Sequence, residues 1–307
     1  MLVRSAYTAS RRTASKPASL ASPRSAPTPP PYGVHPWYRS RELMSDPPAQ
    51  TAAALVIGDE ILSGKVDEAN VRVLARALRE LGVELRRIVV VKDEVETISR
   101  EVQALSRAHD WLFTSGGIGP THDDVTIEAV ARAFGVAVVT NPVMEGMLRD
   151  HYKERITEGH LRMARVPEGA SLEVTEAIRW PTVRMKNTWI MPGIPEVFRM
   201  KIPVIERRLS EEGHGPAFVS LAVYTKMDEG DLKPLLDAVV AKFPDVAVGS
   251  YPKWMDSTYK TKLTFDGRDE ARVRAAHDVF VATLPPGEPH SPPPESVQRS
   301  QSLKPIT

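Results

Sequence analysis

Apolar residues first gather at Ala53–Ile57, a run that suits a buried strand. They then recur as Val71, Leu74, Ala75 and Leu78 at the i, i+3, i+4, i+7 spacing of one helical face, closed by Gly82. The pattern repeats. A run at Ile88–Val91 precedes helical spacing at Val95, Ile98, Val102 and Leu105, and a run at Trp111–Phe113 precedes an amphipathic stretch with Val125, Ala129, Val130 and Ala133. Strands alternating with helices of about a dozen residues predict a three-layer α/β fold with a mainly parallel sheet covered on both faces. Residues 141–184 are less regular and predict a helix followed by a short antiparallel excursion, before a strand at Thr188–Met191 and a helix at Glu196–Leu209. The first domain thus spans 51–213. A second, small α+β domain at 214–284 is expected as β (Ala217–Thr225), α (Glu229–Lys242), β (Val246–Gly249), β (Thr258–Phe265), α (Asp269–Leu284), an open-faced sandwich of undetermined strand order.

Proline marks the ends. Of 27 prolines, nine fall in residues 1–50 and seven in 285–307, so both stretches read as disordered tails around the folded body. The leader is rich in Arg and Ser and poor in acids, which can mimic an organelle transit peptide. It lacks the apolar stretch of a secretory signal, and translation starting at Met44 is the other reading. The leader also hides the charge of the body. The formal net charge is +1, but residues 1–43 hold seven basic residues against Glu42 alone, leaving 33 basic and 38 acidic residues in the remainder. A mildly acidic body argues against phosphate-backbone recognition of nucleic acid. No apolar run approaches the roughly 18 residues that a membrane span needs. The absence of cysteine excludes disulfides and thiolate chemistry and fits a reducing compartment, so a cytoplasmic protein is expected.

Ligands of open α/β sheets bind outside the carboxyl ends of the strands. The residues after each predicted strand are Gly58-Asp59-Glu60, Lys92-Asp93-Glu94, the long segment from Thr114 and Ser115 through Gly116, Gly117 and Gly119 to His122-Asp123-Asp124, and Pro192-Gly193. The three glycines of the long segment allow close backbone approach, so that successive N–H groups can cradle an anion, with a helix expected to open near Asp123. The segment matches neither the dinucleotide GxGxxG nor a Walker loop. Asp123 and Asp124 can serve simply as helix-capping acids, worth roughly 0.5–2 kcal/mol. Yet Asp59 and Asp93 reach the same edge, and carboxylates beside a phosphate call for a divalent cation, magnesium, manganese or cobalt, with Asp59, Asp93, Asp123 and Asp124 as its candidate ligands. His122 can move a proton for a leaving group or be a surface histidine. Asn70 can bond a ligand or be an exposed helix polar residue.

The stretches GDEILSG (58–64), VVKDEVETI (90–98), TSGGIGPTHDDVTIEAVARAFG (114–135), MPGIPE (191–196) and GSYPKWMDSTYKTKLTFDG (249–267) resemble the MoaB/Mog-type molybdopterin-binding domains. Within that family they are most similar to the CinA amino-terminal domain and the molybdopterin-binding-like domain of FAD synthase. The resemblance implies functional aspartates at Asp93 and Asp124 and a phosphate-cradling role for Gly116, Gly117 and Gly119. It also implies a substrate-binding set that includes Gly58, Asp59, Glu60, Asn70, Thr114, Ser115, Pro192, Gly193 and, from the small domain, Ser250 and Tyr251. Relatives usually carry Thr before the Asn of the 66–70 stretch, where this chain has Ala69. The chemistry implied is metal-dependent hydrolysis of an ADP-containing diphosphate such as ADP-ribose or FAD. The alternatives are molybdopterin binding or adenylylation, and a non-catalytic nucleotide-binding module. Relatives assemble as dimers or trimers, so a homo-oligomer is expected.

Overall fold

The computed structural model describes residues 50–213, 215–253 and 258–290. The expected disordered extension, apart from Gln50, and the tail beyond residue 290 lie outside the described residues. In chain order the first domain comprises β1 (Thr51–Ile57), α1 (Asp59–Leu62), α2 (Asn70–Glu80), β2 (Glu84–Val91), α3 (Val95–Ala108), β3 (Trp111–Ser115), α4 (Thr126–Phe134), β4 (Val138–Thr140), α5 (Pro142–Tyr152), α6 (Glu158–Arg162), β5 (Arg165–Pro167), β6 (Ser171–Glu173), β7 (Thr182–Met185), β8 (Thr188–Ile190) and α7 (Pro195–Glu212).

The main sheet has the order β2-β1-β3-β8-β7-β6. β1 pairs in parallel with β2 and β3, and β3 with β8, while β7 runs antiparallel to both β8 and β6. This is the mainly parallel sheet that the alternating pattern predicts, and β6–β7 are the antiparallel excursion. β1 is an interior strand, so both of its faces are buried and its sequence is apolar from Ala52 to Ile57. Ala52, Ala54 and Val56 pack with Leu74, Leu78 and Phe198 of α2 and α7 on one face. Ala53, Leu55 and Ile57 pack with Ile98, Val102 and Val130 of α3 and α4 on the other. Strand β2, at the sheet edge, begins earlier than its apolar run suggests, because Leu85 and Arg87 pair with β1 through backbone groups whatever their side chains. The start of α5 is set locally: Asn141 Oδ1 accepts from the Val143 and Met144 N–H groups, and Pro142 opens the first turn.

The small domain comprises β9 (Val219–Thr225), α8 (Glu229–Lys242), β10 (Ala247–Pro252), β11 (Thr261–Gly267) and α9 (Glu270–Thr283). Its antiparallel sheet has the order β10-β11-β9. Val223, Leu263 and Phe265 pack against Leu232, Val239, Val273 and Phe280 of the two helices, and Asp228 and Asp269 cap those helices. The chain stays folded past the expected end at 284: the His290 N–H donates to Tyr224 O at 2.8 Å, and Glu288 accepts from the Lys226 N–H at 3.0 Å.

The two domains meet at the amino-terminal end of the parallel strands. Arg79, in the last turn of α2, forms an ion pair with Asp266. The guanidinium groups of Arg79 and Arg268 lie over the Phe218 ring, 5.0 and 4.4 Å from its centre. Arg268 also donates to Gly82 O at 2.6 Å, just ahead of β2. The carboxyl-terminal edge of the sheet is thereby left to the first domain's own loops.

Candidate functional site

Because β1, β2, β3 and β8 are parallel, the loops that follow them open on one edge. Backbone bonds tie those loops together: the Gly58 N–H donates to Val91 O at 3.1 Å and the Gly116 N–H to Met191 O at 3.2 Å.

The glycine loop has the conformation that its composition suggests. Gly116 has φ 109°, and a Cβ there would stand 2.1 Å from Ile57 O; Gly117 has φ 66°, with its Cβ position 2.4 Å from Thr126 Oγ1. Thr126 secures the loop, its hydroxyl donating to Gly116 O (2.9 Å) and its N–H to Gly117 O (3.0 Å). Met191 takes the Gly116 N–H, whereas those of Gly117, Ile118 and Gly119 have no acceptor among the described residues. Gly193 lies against the same loop, its Cβ position 3.2 Å from Gly116 Cα. The helix, however, opens at Thr126 with Val125 in the cap position, not near Asp123.

That shift gives the two neighbouring acids different tasks. Asp124 Oδ2 accepts from the Thr121 N–H (2.8 Å) and from the Thr121 hydroxyl, closing the turn under Gly119. Asp123 points outward, its side chain 61% exposed. Asp93, half-buried, takes the Asp59 N–H at 2.8 Å. Burial pushes the Asp93 carboxyl above its ordinary value; the Asp59 N–H opposes the shift, and the charges of Glu60, Asp59 and Asp123 reinforce it. The acid of the glycine loop whose charge reaches Asp93 is therefore Asp123. His122 is on the surface, 98% exposed, with Nδ1 3.9 Å from Asp123 Oδ1.

Among the described residues no three His, Asp or Glu side chains close into a metal-holding group. Magnesium-type ions are commonly held by one or two carboxylates together with substrate phosphates, not by an all-protein cage. Mutually repelling acids beside unpartnered loop N–H groups fit an ion that arrives with a phosphorylated ligand.

Asn70 is buried in the site and not exposed on its helix. Its Nδ2 donates to Ser115 Oγ (2.9 Å) and Gly193 O (2.7 Å), joining α2, β3 and the Pro192-Gly193 turn, while Oδ1 has no partner among the described residues. Ala69 has no capping side chain, and Glu68 substitutes for one by accepting from the N–H groups of Asn70 (2.8 Å) and Val71 (2.9 Å). Thr114 is a buried tie, its hydroxyl donating to Trp189 O and accepting from the Met191 N–H. Glu60 folds back over Gly58. Ser250 and Tyr251 are not brought to this edge. Along β10, Ala247 pairs with Asp266 at the domain junction, and Ser250 and Tyr251 lie further out on the small domain. There Ser250 donates to Glu229 and Tyr251 is 55% exposed.

A cavity of about 90 Å³ adjoins the glycine loop, and Gly119, Asp124, Pro192, Arg162, Trp180 and Lys201 are among the residues that line it. Lys201 was not among the residues that sequence reasoning selects. The signal was present, for it follows Phe198 by three and precedes Ile205 by four on the apolar face of α7, where a lysine is out of place.

A glycine loop, acids and a buried amide are thus gathered at the carboxyl edge of the α/β sheet. The chain belongs to the family described as "Probable molybdopterin binding domain", whose model matches residues 53–210, and residues 217–291 match "FAD synthase, middle domain". A "Probable FAD synthase" of Caenorhabditis elegans is 34% identical over 75% of this chain and 49% of its own length, and that of Caenorhabditis briggsae is 31% identical over 78% and 50%. The chain thus spans about half the length of these relatives. A protein of Archaeoglobus fulgidus is 31% identical over 74% of this chain and 95% of its own. Among solved structures, the protein CinA of Thermoplasma acidophilum covers 52% of this chain and 98% of its own at 25% identity and a TM-score of 0.49. Among the described residues, no helix is long and apolar enough to cross a membrane.

Proposed function

We propose that this chain binds an ADP-containing diphosphate, such as FAD or ADP-ribose, at the carboxyl edge of its parallel sheet and hydrolyses the diphosphate bond with the aid of a divalent cation. The observation that carries the reading is the meeting, on one edge, of an anion-receiving loop with unpartnered N–H groups and a set of acids that repel one another. Either alone is a common structural feature; together they match a ligand that brings both phosphate and cation. Gly117, Ile118 and Gly119 donate N–H bonds to phosphate oxygens. Asn70 Oδ1 accepts from a ligand hydroxyl or amino group. Asp93 and Asp123, with Asp59 beside them, would hold the cation, while Asp124 keeps the loop in shape. A cation bound there neutralises diphosphate charge and makes a bound water more acidic. Water oxygen joins one phosphorus as the bridging P–O bond breaks, giving AMP and the second phosphate ester, and the exposed His122 is placed to exchange the released proton with solvent.

Incubation with FAD or ADP-ribose and magnesium, manganese or cobalt should release AMP, and Asp93→Asn should abolish the release. Absence of AMP with every ion would overturn hydrolysis. The engagement of Asp124 by Thr121 favours, as a second reading, a module that retains nucleotide or molybdopterin without turnover. Calorimetric binding of either ligand without product would establish it. Self-association belongs to the same proposal, supported by exposed Ile88 and Val90 on the edge strand β2, and light scattering tests it.

A further inference from the structure

We infer that Lys201 and Arg162 form a second anion subsite, which grips the other phosphate of a diphosphate whose first phosphate lies on the glycine loop. This rests on the nucleotide-binding reading above and specifies the ligand class within it: two linked phosphates, not one.

The cavity adjoins the site, since Gly119, Asp124 and Pro192 of the strand-end loops are among the residues that line it. Its charges do not balance. Five ionisable side chains line it: Asp124, Glu128, Arg162, Arg165 and Lys201. Glu128 is paired with Arg165 at 2.7 Å, and Asp124 is held by Thr121. Arg162 has no ion-pair partner among the described residues. Lys201, only 4% exposed, donates to the Trp180 carbonyl and has no ion-pair partner among the described residues. An ammonium group carries three donors, and a buried one without a counter-charge is costly. Burial accordingly draws Lys201 down to about 8. A phosphate at this position would supply both the missing counter-charge and acceptors for the unused donors.

Size points the same way. A cavity of about 90 Å³ is smaller than the roughly 150 Å³ that admits a benzene ring. It therefore suits a compact tetrahedral anion better than a fused aromatic ring.

The test is calorimetric titration of AMP and of ADP, each with magnesium, into the full chain and into Lys201→Met and Arg162→Gln. ADP should bind the wild type more tightly than AMP. Either substitution should weaken ADP about tenfold while changing AMP less than about twofold, and Lys201→Arg should restore most of the difference. Arg162 is only half-buried, so its variant keeps the test open should Lys201→Met fail to fold. An unchanged ADP-to-AMP ratio in folded variants that still bind nucleotide, or equal losses for both ligands, would overturn the subsite. Failure of the wild type to bind either nucleotide would instead overturn the nucleotide reading, and the subsite with it.

Discussion

Replacing Gly116 by alanine is the sharpest perturbation of the loop. At φ 109° an alanine lies outside the favourable backbone regions, and its Cβ would stand 2.1 Å from the carbonyl oxygen of Ile57. The left-handed conformation costs roughly 1–2 kcal/mol. Relieving the overlap costs about 1–3 kcal/mol more, as in an overpacked core. The obstacle cannot swing aside, because Ile57 ends the interior strand β1 and is bonded within the sheet. Gly116→Ala should therefore destabilise the fold by about 2–5 kcal/mol, a large part of the roughly 5–15 kcal/mol typical of a domain. Gly117→Ala meets the Thr126 hydroxyl instead, a side-chain atom 2.4 Å away that can rotate at the expense of its bond to Gly116 O. It should cost less, about 1–3 kcal/mol. Urea unfolding followed by circular dichroism measures both. A loss under about 1 kcal/mol for Gly116→Ala, or the reverse order of the two variants, would refute the loop conformation on which the anion-binding argument depends.

Asp93→Asn should uncouple stability from binding. The raised folded-state value means that the ionised carboxylate opposes folding at neutral pH and that wild-type stability grows as pH falls through that value; the variant should melt no lower than wild type at pH 7 yet lose metal-dependent nucleotide binding, as fluorimetric melting and calorimetry will show. Lys201 has the opposite pH signature. The native chain loses this proton near 8 and the unfolded chain near 10.5, so stability should rise by roughly 1–3 kcal/mol as pH increases across that window. Wild type and Lys201→Met, melted in parallel from pH 7 to 10.5, should diverge accordingly, and superimposable pH profiles would contradict the burial of a charged amine. Magnesium or manganese should raise the melting temperature more with ADP present than the two additions raise it singly, because a phosphate completes the ligand set. An equal rise from metal alone would mean a preformed site.

Local pattern determined most of the architecture. The apolar run of β1, the helical faces of α2, α3 and α7, and the glycines between β3 and α4 all report on neighbours within a few residues, and such spacing survives in the sequence. The carboxyl-edge location of the loops followed from the strand–helix alternation alone. What tertiary structure decided involves residues far apart in the chain. Asn70 meets Ser115 and Gly193, 45 and 123 positions away, only because β1, β3 and β8 lie side by side. The division of labour between Asp123 and Asp124 depends on where α4 begins, and Thr126 fixes that by bonding back to Gly116 and Gly117. The small domain contacts the first through Phe218, Arg79 and Arg268, and the register of β10 carries Ser250 and Tyr251, which the family resemblance placed among the substrate-binding residues, outward on the small domain. Lys201 and Arg162, far apart in sequence, line one cavity. Sequence records which side chains are apolar and how they are spaced; backbone pairing between distant strands decides which polar groups meet.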